Sequence, residues 1–557
     1  MSDLSINEYK PVMAIYDIRG KQDFIFRTNK LKEIAGGSRL IQHCFEEYLY
    51  PAAKFNGGKG IFTYKDEHGK DLNGEEFDFT STRFKDHVEK DGYIGEVIYD
   101  GGGNFLLLFK NEYLFRETTY RFTKKLLEEV GTLKVLGTCV SIDGSFADYV
   151  KDRDLLYAEH RKNEMAECIT APWTALPISM IDRKTSFPYI YSNDQNEKLP
   201  KKLKKMAGQT SKESFAKLKA YYKEAERNPR EIESVEQFDK MVTNKGEDSL
   251  LAVIYIDGNG MGAKVQDLLG AGGNYETCLK KLRDFSSNIQ ETYVDNGIKN
   301  ALGFFGEKGD MDQGSIVKNR VIVSAGDEIN FVVNAHDAMG CILRYFKGLP
   351  EGCSSCAGIA VFRSHAPYAD AYRIAEECCE SGKKKMKELN INNACFVDFH
   401  ECQGAVGISL DRIRAEVGIN YSLPWLVKID ENEKEKATDA KVPIYSGEVI
   451  EGSDIDILVD LFQKIGKSNV KGLAETAWKS GADMELELHR VEAHLTEEKK
   501  KETRKGWDYL RSIDDPERKR GLIYDVVGAY DMWFQGRGTS GNIDIEEEGV
   551  EENEGNA

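Results

Sequence analysis

Three acidic residues stand where strand-like runs stop. Asp257 ends the apolar run "SLLAVIYID" and is followed at once by "GNGMG"; Asp327 and Glu328 form the tip of "VSAGDEINFVV". If the two strands are neighbours, three carboxylates converge at one edge of a sheet. Such a cluster repels itself unless a cation neutralises it, and hard oxygen donors with open positions favour Mg²⁺ or Mn²⁺. Ions of that kind serve phosphoryl chemistry, activating a hydroxyl and stabilising charge on the phosphorus and its leaving pyrophosphate. Taken alone, the hairpin reads better as a polar turn, since Gly-Asp is common at such tips. The strand-end Asp257, the glycines that let a phosphate chain approach the backbone, and the lysines downstream reverse that reading. Of these lysines, Lys383 to Lys385 end a helical run. They fit either a solvated helix end favoured by the dipole or, at Lys383, a point charge for a polyphosphate.

The elements that must position these residues occur twice. One copy runs from "PVMAIYDIRG" through a helical stretch, "EVIYDGGGNFLLLFK", a helix, "LKVLGTCVSIDG" and a helix ending "LLYAEHRKNEM". The other runs from "SLLAVIYIDGNGMGAKV" through a helix, "NRVIVSAGDEINFVVNA", a helix, "CAGIAVF" and "YADAYRIAEECCESGKKKMKE". Matching landmarks in matching order predict an internal duplication. Apolar β-branched runs bounded by glycine predict buried strands with helices on one face. In the first copy, Gly103 and Asn104 hold the places of Asp327 and Glu328, so only Asp17 remains as an acid. Arg161 and Lys162 are expected in the place of Lys383. This copy is therefore expected to bind phosphate without doing chemistry.

The fold class expected is α+β and multidomain, with two ferredoxin-like domains. Residues 1–175 form the first, 176–246 a lysine-rich helical insert, and 247–405 the second. Residues 406–535 form a helical domain with Trp507, Tyr509, Ile523, Val526 and Trp533 in its core, and 536–557 an acidic disordered tail. The segment Pro200–Asn244 reads as one or two solvated helices. Cys353 and Cys356 make a lone CxxC without a partner at zinc-ribbon spacing, which favours buried thiols over a metal site.

Composition narrows the classes further. Hydrophobic residues make up 41% and charged residues 31% of 557, and no apolar run is long enough to span a membrane. No secretion signal is visible at the start, and eleven irregularly spaced cysteines suit reduced thiols in the cytoplasm. A net charge of −18 argues against a protein that coats nucleic acid over its whole surface, while leaving room for a local basic groove.

On "DIRGKQDFIF", "LKEIAGGSRL" and "DGGGNFLLLF" in the first copy, and "YIDGNGMG", "AGDEINFVV" and "AGIAVFRSHAPYADAYRIAEECCESGKKK" in the second, the chain resembles a known family. It is similar to the large palm-domain subunit of type III CRISPR effectors, whose palms are related to GGDEF diguanylate cyclases. The resemblance covers roughly Pro11–Met165 and Ser249–His400. It implies a ribonucleotidyl cyclase or polymerase in antiviral defence that takes ATP or other ribonucleoside triphosphates and releases pyrophosphate, giving cyclic oligonucleotide messengers. By matching motif, Asp257, Asp327 and Glu328 hold Mg²⁺ or Mn²⁺, and Glu328 assists removal of the hydroxyl proton. Lys383 faces the triphosphate, and Gly258, Asn259 and Gly260 shape the phosphate loop. Nucleotide contact extends to Gly326 and, in the first copy, to Gly102, Gly103 and Asn104. Effector subunits and guide or target RNA are the implied partners, and no membrane is.

Three departures from the family follow. Few residues precede the first strand, so the family's HD nuclease domain is not expected. The hairpin reads Ala-Gly-Asp-Glu where the family has Gly-Gly-Asp-Asp, and the inter-palm cysteine cluster is not recognisable. Two other readings stay open: a non-catalytic palm-pair scaffold that binds nucleotide or RNA, and a free-standing sensor or synthase of cyclic nucleotides.

Overall fold

Each copy opens on a strand that lies inside a sheet, paired on both sides. The computed structural model describes residues 8–28, 30–64, 78–101, 104–166, 178–189, 210–227, 238–241, 249–270, 272–305, 319–402, 407–447 and 452–534. The turn positions Gly102 and Gly103, the acidic tail and much of the lysine-rich segment lie outside these residues. The chain is an α+β protein that divides into two compact units, Met1–Gly407 and Ile408–Ala557.

The first sheet is built from β1 (Val12–Arg19), β2 (Gly60–Phe62), β3 (Tyr93–Gly101), β4 (Asn104–Phe109) and β5 (Lys134–Ser141), in the order β2-β3-β4-β1-β5. Within the first unit, the second sheet contains β6 (Leu250–Gly258), β7 (Asn319–Ala325), β8 (Glu328–Asn334), β9 (Ser355–Arg363) and β10 (Ala394–Glu401), in the order β10-β9-β6-β8-β7. In both, the opening strand pairs antiparallel with the second strand of the hairpin on one side and with the strand after the next helix on the other. The duplication read from the motifs is thus repeated in the strand order.

The helices follow the same plan. The first copy contributes α1 (Lys21–Phe26), α2 (Leu31–Gln42), α3 (Glu112–Glu129) and α4 (Tyr149–Ala166), and α5 (Lys212–Arg227) comes from the segment between the copies. The second contributes α6 (Met261–Leu269), α7 (Tyr275–Ile289), α8 (Ala338–Gly348) and α9 (Tyr368–Leu389). Gly20 and Gly260, each three residues after the strand-end aspartate, take the left-handed conformation that starts α1 and α6, with φ of 61° and 68°. Such a φ favours glycine because it has no Cβ to clash with the backbone.

The first sheet is covered on both faces, against the expectation of helices on one. Val12, Ala14, Tyr16 and Ile18 of β1 enter a core with Leu114, Phe122 and Leu126 of α3. The alternate residues Met13 and Ile15 enter another with Tyr275, Leu279 and Leu282 of α7. A strand buried on both faces must be apolar throughout rather than alternating, which is how β1 reads. The helix that joins β6 to the rest of the second copy therefore seals the sheet of the first. Arg283 of α7 is buried in that seam and donates to the carbonyls of Val97 (3.1 Å) and Ile98 (3.2 Å).

Helix α5 overturns the reading of this part of the lysine-rich segment as solvated. It lies against α2, where Gly36 gives it room: a Cβ there would come 1.8 Å from the Lys217 carbonyl oxygen. Ala216, Leu218 and Tyr221 are buried, and so are Glu213 and Lys217. The two charges pair at 2.6 Å, Lys217 also donates to the Phe24 carbonyl, and Glu213 takes Arg27 Nε at 3.1 Å. A lysine with its ammonium satisfied in this way can be buried because its charge is paired and hydrogen-bonded.

The second unit has a strand at Trp425–Ile429 and helices at Asp454–Ile465, Lys467–Lys479, Gly481–His494, Arg504–Ser512 and Pro516–Ala529. Trp507, Ile523, Val526 and Trp533 are buried in it, and Tyr509 is half-buried. Among the described residues no helix is long and apolar enough to cross a membrane.

Candidate active site

The three acids singled out in the sequence meet at one end of the second sheet. Asp257 lies on the central strand β6, directly opposite Glu328 of β8 on one side and Cys356 of β9 on the other. Ala325 pairs with Glu328 across a two-residue turn, Gly326-Asp327. Gly326 has φ of 66°, the positive value that the first turn position of a II′ hairpin requires. The turn sets Asp327 against the end of β6. The Gly258 amide donates to the Asp327 carbonyl at 3.2 Å, and a Cβ on Gly258 would lie 2.9 Å from the Asp327 Cβ and Oδ2. Gly258 is thus the residue that makes room for the second acid.

Helix α9 runs over β6, β9 and β10 and supplies the other polar groups. Its Lys383 donates to Asp257 Oδ2 and lies 3.6 Å from Glu380. Tyr372 donates to Glu328 Oε1 at 3.2 Å. One turn on, Glu376 accepts from Gln22 Nε2 of α1 at 2.5 Å, and the ring of Phe26 lies 4.2 Å from that of Tyr372. The first copy's opening helix therefore props the helix that carries the second copy's site.

Electrostatics record how crowded the negative charge is. Burial, followed by the charge of Asp257, pushes the Glu328 carboxyl up to about 7; the Tyr372 hydroxyl works against this, and Glu376 and Asp327 add to it. The same two leading causes push Asp327 up to about 6. Glu376 is also raised, by burial first and then by Glu380 and Glu377 against the Gln22 hydrogen bond. Burial acts to lower the Lys383 ammonium, but the Asp257 carboxylate overrides it and holds that pKa above its ordinary value. Asp257, Asp327 and Glu328 offer oxygen donors of the kind a divalent cation takes, but in this arrangement they do not bring one oxygen each within 4.8 Å of the others. Lys383 is the cation their neighbours supply among the described contacts.

Other residues from the sequence reading take different places. Asn259 turns inward: its amide donates to Ser354 Oγ (3.2 Å) and to the Ala394 carbonyl (2.9 Å), which anchors the loop. Gly260 starts α6. Cys356 is buried and Cys353 half-buried, and the described cysteines are free thiols. Tyr372, Glu376 and Gln22 were not anticipated. The spacing Tyr372, Glu376, Lys383 along one helix was the available signal, since residues four and seven apart share a face.

In the first copy, Asp17 stands opposite Asn104 as Asp257 stands opposite Glu328, and Gly101 pairs with Asn104 as Ala325 pairs with Glu328. The expectation for Arg161 and Lys162 is corrected. Both are exposed and bond within their own helix, to the Tyr157 carbonyl and to Glu159. The cation on Asp17 is instead Arg19, two residues along the same chain, at 2.9 Å.

Fold and site together define a duplicated α+β protein with a carboxylate cluster at the sheet end of its second copy. No family model and no curated protein matches the chain. Solved structures do. Csm1 of T. onnurineus aligns over 94% of this chain and 70% of its own, at 14% identity and a TM-score of 0.48. A Csm1-Csm4 cassette in complex with cA4 aligns over 94% and 70%, at 13% identity and 0.46. A Csm1-Csm4 cassette in complex with AMPPNP aligns over 70% of this chain at 14% identity and 0.40, and this chain spans 54% of its length.

Proposed function

We propose that the chain is a metal-dependent nucleotidyltransferase of the palm type, a ribonucleotidyl cyclase or polymerase that acts at the second copy. The observation that carries this reading is the Asp257–Glu328 pair with Asp327 beside it, set against Asp17 and Asn104 at the same ladder position of the first copy. The motif resemblance supplies the class of reaction, and we read 1–175 and 247–405 as the two palms. On the same reading, the insert 176–246 and the helical region 406–535 offer surfaces to effector subunits and RNA.

In the reaction proposed, the 3′-hydroxyl oxygen of one ATP forms a bond to the α-phosphorus of another. The bond from that phosphorus to the bridging oxygen breaks, and pyrophosphate leaves. Asp257, Asp327 and Glu328 would hold Mg²⁺ or Mn²⁺, which when bound neutralises charge on the phosphates and lowers the pKa of the attacking hydroxyl. Glu328 would also help to remove that hydroxyl's proton. Tyr372 fixes its orientation. Lys383 would exchange its hold on Asp257 for a phosphate oxygen, a change that needs only its flexible stem to move.

The test is pyrophosphate release from each ribonucleoside triphosphate with Mg²⁺ or Mn²⁺, with mass spectrometry of the products. Activity is expected with the wild-type chain and a loss of at least about a hundredfold in Asp257→Ala and Asp327→Ala. A folded wild-type chain that stays inert with every nucleotide, both ions and candidate activator RNAs sinks the proposal.

A further inference from the structure

The first copy lacks the hairpin acids, yet it has a ligand set of a different chemical kind. Asp17 at the end of β1 meets His160 and Glu164, which are one helical turn apart on α4. One donor atom from each lies within 4.8 Å of the others. His160 is 5% exposed. Its Nδ1 lies 3.0 Å from Thr138 Oγ1, and Asn163 Nδ2 donates to that same oxygen at 3.1 Å. The contact with Thr138 is compatible with either tautomer, and the one a metal would select, with Nδ1–H donated to Thr138, leaves the lone pair on Nε2. That atom is aimed between Asp17 Oδ2 and Glu164 Oε1, 3.9 Å from each and beyond hydrogen-bond reach. A ring held through one nitrogen with the other facing two carboxylates is the arrangement that orients a metal-binding histidine.

We propose that Asp17, His160 and Glu164 form a divalent metal site selective for a zinc-class transition ion over Mg²⁺. An imidazole nitrogen with two carboxylate oxygens suits zinc, whereas magnesium prefers oxygen alone. The two histidine–carboxylate separations of 3.9 Å, and the carboxylate pair within 4.8 Å, must close somewhat to bring all three donors to about 2.0–2.2 Å from one ion. Arg19 is the built-in competitor: its Nη1 bridges Asp17 Oδ2 at 2.9 Å and Glu164 Oε1 at 2.5 Å. Its side chain is 35% exposed, so it can turn outward when an ion takes its place. The two copies thus differ in metal class as well as in chemistry: oxygen donors in the second, mixed nitrogen and oxygen in the first.

The test uses the full chain stripped of metal, carrying Asp257→Asn and Asp327→Asn to weaken the other acid cluster. Co²⁺ is titrated by visible absorption, and bound Zn²⁺ is counted after gel filtration. One equivalent of Co²⁺ is expected with a weak d–d band, displaced by Zn²⁺ but not by millimolar Mg²⁺. His160→Gln is expected to abolish the band and to weaken Zn²⁺ binding by about tenfold or more. Because that ring is buried, Arg19→Ala provides the independent arm. It removes the competing cation and is expected to tighten Zn²⁺ binding by about tenfold. A purely structural ion pair predicts no such gain. The proposal is overturned by an absence of stoichiometric uptake, by an intense thiolate charge-transfer band, by uptake unchanged in a folded His160→Gln protein, or by Arg19→Ala that binds Zn²⁺ no tighter.

Discussion

Asp257 and Glu328 face each other directly across the β6–β8 ladder, so two carboxylates sit as cross-strand neighbours at the sheet end. Like charges directly opposite destabilise a sheet. The neighbours relieve the repulsion only in part: Lys383 holds Asp257, and Tyr372 donates to Glu328. The pair is thus a local cost in the metal-free protein.

That cost has a pH signature. Asp327 and Glu328 are raised from 3.8 and 4.5 to about 6 and about 7. Between about pH 4 and 7 the folded chain therefore binds more protons than the unfolded chain, and these groups make stability fall as pH rises. In chelator, thermal unfolding of the wild type is expected to be higher at pH 5 than at pH 7.5. An Asp327→Asn/Glu328→Gln double variant should flatten that difference by on the order of 1–3 kcal/mol for each carboxyl. Mg²⁺ at pH 7.5 should raise the wild-type midpoint and leave the variant's unchanged.

Gly258→Ala tests the packing that seats Asp327. The new Cβ would meet the flexible Met261 Cε at 2.4 Å and Asp327 at 2.9 Å. The turn is expected to shift with little change in the unfolding midpoint. Pyrophosphate release should fall by about tenfold or more, since small misplacements at a reacting centre are costly.

Tyr372→Phe removes a hydrogen bond that holds the Glu328 carboxyl down. The acid limb of the pH–rate profile is expected to move upward by about half a unit to one unit. If Glu328 acts as the base proposed above, it must be ionised to do so, and the loss should be greatest below pH 7. A profile lowered uniformly at all pH values would refute this role.

Gly36→Ala probes the α2–α5 crossing. With a Cβ placed 1.8 Å from the Lys217 carbonyl, the helices must separate and leave Lys217 and Glu213 without their packing. A loss of about 3 kcal/mol or more in denaturant unfolding is expected. Gly20→Ala, where no atom lies within 4 Å, should cost only the strain of its positive φ, about 1 kcal/mol.

The sequence by itself determined what depends on neighbours along the chain. Apolar runs bounded by glycine marked β1, β6, β8 and β9. The Gly-Asp-Glu tip marked the hairpin, and the repeated order of motifs marked the duplication. These are local signals of backbone conformation and periodicity. Tertiary structure decided what depends on the rotation of one element against another. Each step along an α-helix turns a side chain by roughly 100°. His160 and Glu164 consequently face Asp17 while Arg161 and Lys162, between them in sequence, point to solvent. The same dependence hid Tyr372 and Glu376, whose places beside Glu328 follow from how α9 lies on the sheet. It also hid α5, whose lysine-rich composition suggested solvent until Gly36 on α2 gave it room to pack.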